Sequence, residues 1–281
     1  MRRLVAVTIL GVLLASCAET GDSRSKTGSA ATTTQAAASG EIAGKYDVGD
    51  YQLHLRCEGS GSPTVVYLHG LGGDGSDIES INAPLADRTR VCTYDRLNVG
   101  RSDSDPGRHT GADSVADLHA LLDAADVPGP YLLVGFSFGG LLAIMYAGTY
   151  PDQVMGLVSL DGSLPTDDQV DQLIPAAERA QVRAGEEANR ERVEFYRTLD
   201  QAKPLQAKIP DVPVTYLAAR PVELPPNWPV KRMQAFIGAQ QARFAKALPK
   251  GRLVEVQSSH DIDLEQPDLV IREIDRILDT A

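Results

Sequence analysis

From about residue 46 onward the chain repeats one pattern. A short, unbroken apolar run is followed by a polar or glycine-rich break and then by a longer stretch with apolar residues at helical spacing. The runs are TVVYLHG (64–70), RVCTYD (90–95), YLLVGF (131–136), VMGLVSLDG (154–162), VPVTYLAA (212–219) and RLVEVQ (252–257). Unbroken apolarity suits strands covered on both faces. YQLHLRC (51–57) differs: Tyr51, Leu53 and Leu55 alternate with Gln52, His54 and Arg56, which predicts a half-exposed strand. Val48-Gly49-Asp50 before it predicts a hairpin turn from a short first strand. Helical spacing covers about 112–125, 139–149, 231–247 and 267–279. Strand–helix alternation with buried strands predicts an α/β fold, an open and mostly parallel sheet flanked by helices. The segment from about 164 to 210 interrupts the alternation between the sixth and seventh strands. It is long, charged and helical in pattern. Such an insertion forms a cap above the carboxyl ends of the strands, where open α/β sheets bind ligands; the alternative is a solvated excursion without a role in binding.

The first residues have another character. MRRLVAVTILGVLLASC carries Arg2 and Arg3, an apolar run too short to span a bilayer, and then small residues, as an export signal does. Its end, Leu14-Ala15-Ser16-Cys17, resembles the bacterial lipobox. That likeness implies cleavage before Cys17, a diacylglyceryl group on its sulfur, and a chain held at the outer face of the cell membrane. An ordinary cleaved signal with an incidental cysteine is the alternative. The Ser/Thr/Ala/Gly-rich stretch that follows reads as a flexible tether. The expected organisation is a signal over 1–16, a lipidated terminus and linker over 17–44, and one domain over 45–281. The net charge of −11 argues against a nucleic-acid partner, which needs a basic face. Cys57 and Cys92 form an even pair in an exported chain, which suggests a disulfide; two buried thiols are the alternative.

Two glycine motifs follow strands. Gly70-Leu71-Gly72-Gly73-Asp74-Gly75, with Asp95 twenty residues after Gly75, has the spacing of a dinucleotide fingerprint with its ribose acid. It follows the third predicted strand, whereas such a unit usually opens a domain, and an exported chain meets no obvious nicotinamide pool. The second motif is Gly135-Phe136-Ser137-Phe138-Gly139, between a strand and an apolar helix. A serine at so tight a turn projects its hydroxyl outward, and strand and helix approach so closely that only small residues fit two positions either side.

Here the chain resembles the α/β-hydrolase superfamily, from about Tyr46 to the C-terminus. YLHGLGG is similar to its oxyanion loop, YDRLNVGRS to the loop after its fourth strand, GFSFG to its nucleophile turn, and Ser258-Ser259-His260 to the segment carrying its histidine. The resemblance implies Ser137 as nucleophile and His260 as base, the only one of the five histidines (His54, His69, His109, His119, His260) beyond the serine. It implies an oxyanion hole from the N–H groups of Leu71 and Phe138. For the acid, Asp161 at the end of the sixth strand, where some branches of the superfamily carry theirs, is preferred to the alternative Glu223 after the seventh; Asp261 and Asp263 are too local to orient His260. The implied strand order sets the second strand beside the fourth, which would bring Cys57 to Cys92. The expected activity is acyl transfer on a small-molecule ester, a carboxylesterase on small or medium apolar acyl groups, with no metal or organic cofactor; Phe136, Phe138 and Leu141 are either its apolar surroundings or simply core. An aminopeptidase, a C–C hydrolase, a perhydrolase, or an idle lipid-anchored binding protein of the same fold are alternatives.

Overall fold

In the computed structural model, which describes residues 42–280, the first hairpin pairs β1 (Ile42–Asp47) with β2 (Gln52–Glu58), closed by the Val48 N–H donating to Tyr51 O at 3.0 Å. Six further strands follow: β3 (Thr64–Leu68), β4 (Val91–Asp95), β5 (Tyr131–Phe136), β6 (Val154–Leu160), β7 (Val214–Arg220) and β8 (Gly251–Gln257). They form one sheet in the order β1-β2-β4-β3-β5-β6-β7-β8, parallel from β4 through β8 and antiparallel at β1–β2 and β2–β4. This is the α/β architecture expected from the strand–helix alternation, an eight-stranded, mostly parallel sheet with helices on both faces. The long apolar strands are parallel because each is followed by a helical crossover that covers a face.

The helices are α1 (Glu79–Ala86), α2 (Gly111–Ala124), α3 (Phe138–Thr149), α4 (Ala176–Glu187), α5 (Phe195–Gln206), α6 (Val230–Ala247), α7 (Ile262–Glu265) and α8 (Pro267–Leu278). One face of the sheet packs Leu118 and Leu121 of α2, Leu141 and Met145 of α3, and Phe244 of α6. The other packs Ile81 and Leu85 of α1 against Val270, Ile274 and Ile277 of α8. Between β6 and β7 the chain makes a 3-10 segment (Asp167–Leu173) and then α4 and α5, so the inserted segment is helical. Thr198 and Leu199 of α5 are fully buried, which roots the insertion in the body of the domain.

Three local readings change. Ile42–Gly44, assigned to the linker, belong to β1, because pairing with Leu55–Cys57 of β2 orders a stretch whose composition alone reads as flexible. β2 is not half-exposed: His54 is buried beside Asp95, its ring Nδ1 3.7 Å from Asp95 Oδ2, because the loop after β4 covers its outer face. β8 is an edge strand with most residues partly exposed, so its apolar run is covered on one side only. The signal, the tether and Cys17 lie outside the described residues. Among the described residues no helix is long and apolar enough to cross a membrane.

Cys57 and Cys92 are register partners on β2 and β4 and form a disulfide, both fully buried. A bond closing a loop of 35 residues contributes about 3–4 kcal/mol by restricting the unfolded chain. Cys57→Ala/Cys92→Ala is therefore expected to lower unfolding free energy in urea by that amount; a midpoint equal to that of the parent would show that the bond does not constrain the unfolded chain.

Candidate active site

The end of β5 and the start of α3 meet at Ser137. Its backbone sits at φ 51°, ψ −119°, a strained combination for a residue with a side chain. The surroundings enforce it: the Ser137 N–H donates to Leu160 O at 3.1 Å, and Ser137 O accepts from Gly140 N–H at 2.9 Å and Ser163 N–H at 2.8 Å. The glycines are required by space. A Cβ on Gly139 would stand 1.9 Å from Leu68 O, and one on Gly135 would stand 2.5 Å from Gly139 O. Phe138 opens α3, where backbone N–H groups have no partner within the helix.

Adjacent parallel strands bring their carboxyl ends together, and the remaining groups arrive that way. Asp161 follows β6 with its own strained backbone, φ 42°. The Ala219 N–H donates to its Oδ1 at 3.2 Å, Gln241 Nε2 of α6 reaches the same oxygen at 3.5 Å, and Oδ2 lies 2.8 Å from His260 Nδ1. Of the two candidate carboxylates, then, Asp161 is the one bonded to His260. Glu223 is exposed in the loop after β7, Asp261 is exposed, and Asp263 is buried against the Tyr67 hydroxyl at 3.2 Å. The hydrogen bond to Asp161 holds the His260 imidazole above the ordinary histidine pKa, against the opposing effect of burial. Phe136 packs on the His260 ring with centroids 4.8 Å apart.

Ser137, Asp161, His260, Leu71 and Phe138 all line one cavity of about 390 Å³. Phe136 and Leu141 do not. Leu141 is in the core and Phe136 supports the histidine, so the apolar surroundings expected of them come instead from Phe195, Ile174 and Trp228.

The glycine motif after β3 serves this cavity rather than a dinucleotide. Asp95 takes the Gly75 N–H at 2.7 Å and the Arg101 N–H at 2.7 Å, so its carboxylate is consumed in tying two loops together. His69 is fully buried and donates through Nδ1 to Gly70 O at 2.9 Å; burial, with the Arg96 charge adding to it, lowers its pKa well below the ordinary value and keeps it neutral.

Two residues assigned no role from the sequence hold this loop. Arg96 donates to His69 O and Gly70 O, both at 2.7 Å, and pairs with Glu191 of the insertion at 2.7 and 2.9 Å. Glu191 also accepts the Gly72 N–H. Arg96 is 1% exposed and Glu191 0%, so the segment carrying Leu71 is strapped to the insertion by a dry ion pair. Arg96 lies in the YDRLNVGRS loop, but nothing in the charged run around Glu191 marks it among its neighbours.

Comparison with known proteins places these features in context. A family model described as alpha/beta hydrolase fold matches residues 63–219. Protein YqjL of Bacillus subtilis is 33% identical over 107 residues, 38% of this chain and 42% of its own length. The 2-(acetamidomethylene)succinate hydrolase of Mesorhizobium japonicum is 29% identical over 120 residues, 43% of this chain and 42% of its own. The match thus spans about two-fifths of the length of these curated relatives. Among solved structures, a thermophilic esterase from Thermogutta terrifontis shares the fold with a TM-score of 0.61 at 20% identity, over 85% of this chain and 98% of its own.

Proposed function

The chain belongs to the alpha/beta hydrolase fold family, and from that premise we propose that it is a serine hydrolase, a carboxylesterase acting on small or medium esters. The observation that carries the reading is the 2.8 Å contact between His260 Nδ1 and Asp161 Oδ2 in the cavity that Ser137 also lines. With Nδ1 engaged by the carboxylate, Nε2 is the nitrogen left to take the Ser137 proton. Ser137 Oγ then attacks the ester carbonyl. The charge that develops on the carbonyl oxygen is met by the backbone N–H groups of Leu71 and Phe138, which cost no reorganisation because the loop and the helix start are already fixed. His260 gives its proton to the departing alcohol, then deprotonates the water that releases the acid and frees Ser137. The cavity volume suits a small or medium ester.

A fluorophosphonate probe tests this directly. The native protein is expected to gain one covalent adduct, mapped by peptide mass to Ser137, with loss of 4-nitrophenyl butyrate turnover in step with labelling. Absence of an adduct, or an adduct elsewhere, overturns the reading.

Attachment to the outer face of the cell membrane through a lipid on Cys17 belongs to the same proposal and is supported by the leader pattern and its lipobox-like end. Replacing Cys17 by Ser is expected to move the protein from the membrane fraction to the soluble fraction; a variant that still sediments with membranes contradicts lipidation.

A further inference from the structure

The lining of the cavity over Ser137 is mixed. Leu71, Phe138, Ile174 and Phe195 supply apolar surface. The insertion also gives it an acidic wall of Asp167, Asp168, Asp171 and Glu186, while no lysine or arginine lines the cavity. Two of these carboxylates are already matched: Arg183 reaches Asp171 at 3.0 Å and Lys203 reaches Asp168 at 2.9 Å. The other two are not. Asp167 accepts the Leu164 N–H at 3.0 Å and meets no cation, and among the described residues no hydrogen bond or ion pair engages the Glu186 carboxylate. Burial pushes the Asp167 carboxyl up to about 7, with the Asp161, Asp168 and Glu186 charges adding to the rise; burial raises Glu186 too.

Two glutamines beside this wall have the same deficit. Gln240 and Gln241 of α6 are 3% and 4% exposed. Nε2 of Gln240 donates to Thr166 O and Gln169 Oε1, and Nε2 of Gln241 to Asp161 Oδ1 and the Tyr216 hydroxyl. All four acceptors are oxygens, so each amide is held with its Oε1 turned the other way, and both Oε1 atoms lack a donor. Buried acceptors without donors cost free energy that an N–H cation relieves, and the partly buried Asp167 and the exposed Glu186 add negative charge that attracts a cation with or without N–H groups. Trp228, held through Nε1 by Glu178 at 2.8 Å, adds an aromatic ring to the same lining, a surface that attracts onium groups. The carboxylates are not gathered for a metal, since no group of three or more metal-binding side chains occurs among the described residues.

We infer that the acidic wall receives a cationic group of the substrate, a protonated amine or quaternary ammonium, borne on an otherwise apolar ester. The ester part of this statement rests on the function proposed above; the cation site rests on Asp167, Glu186, Gln240 and Gln241.

The test separates the two. Trp228 is the single tryptophan of the chain, so intrinsic fluorescence reports on this cavity without any turnover. Choline and 3,3-dimethylbutanol have the same shape and differ by one charge. In the Ser137→Ala protein choline is expected to bind about tenfold or more tightly than the alcohol, the scale of one desolvated cation contact. Glu186→Gln and Asp167→Asn are expected to erase that ratio, and Glu186→Gln removes no hydrogen bond. Equal affinity for choline and the alcohol, or a ratio that both variants leave intact, overturns the cation site. Turnover of 4-nitrophenyl butyrate by the native protein is read separately: if it occurs without a choline preference the cation site alone falls, and if choline is preferred without turnover the esterase reading alone falls.

Discussion

Asp161→Asn is expected to lower ester turnover by on the order of 10⁴-fold, while Glu223→Gln leaves it within about twofold of the parent. The asymmetry follows from position. Asp161 reaches His260 at 2.8 Å and is itself fixed by the Ala219 N–H, whereas Glu223 points from an exposed loop. An amide at position 161 would present the wrong group to Nδ1 and favour the tautomer that cannot accept the Ser137 proton. The pH profile carries a second signature. His260 acts as base only when neutral, so turnover falls as pH drops through its pKa, which the Asp161 hydrogen bond raises. Removing that bond leaves burial, which acts in the opposite direction, so the acid limb of the residual activity of Asp161→Asn shifts to lower pH. The check is kcat across pH for both variants; full activity in Asp161→Asn beside loss in Glu223→Gln would reverse the assignment.

The second large effect concerns the strap from the insertion to the loop that carries Leu71. Glu191→Gln leaves the Arg96 guanidinium buried with no opposing charge, and is expected to lower stability by roughly 3 to 5 kcal/mol. That cost alone does not show what the pair is for, because a buried ion pair is often replaceable by apolar residues of similar size. The double variant Arg96→Met/Glu191→Met makes the distinction. Its stability in urea is expected to return close to that of the parent. Its kcat is expected to stay low, because nothing then donates to His69 O and Gly70 O or accepts the Gly72 N–H beside Leu71. Recovery of kcat together with stability would show that the pair serves only the packing of the insertion.

The sequence revealed some of this and hid the rest for identifiable reasons. The parallel strands were legible because burial on both faces demands unbroken apolar runs, and the serine turn because close approach of strand and helix demands glycine. α1 was missed: Glu79–Ala86 is short, interrupted by Pro84, and presents only Ile81, Asn82 and Leu85 to the interior. The outer face of β2 is buried against its alternating pattern because the covering loop lies far along the chain: Ser102 Oγ, 48 residues beyond His54, takes the His54 N–H at 2.8 Å. Phe136 and Leu141 show that proximity in sequence to Ser137 does not mean exposure to the cavity: Leu141 turns from buried α3 into the core, and Phe136, at the end of β5, packs on the His260 ring.

By itself the sequence determined the strand–helix order, the strained serine turn and the position of His260, because each depends on residues within one element or one turn. Only the tertiary structure decided which carboxylate meets His260, 99 residues away, and that Glu191 grips an arginine 95 residues before it. It alone disclosed a cavity with two unmatched carboxylates in its wall. Such choices depend on which strand ends are neighbours and on what the insertion covers, and a linear pattern of polarity carries neither distance nor direction between elements.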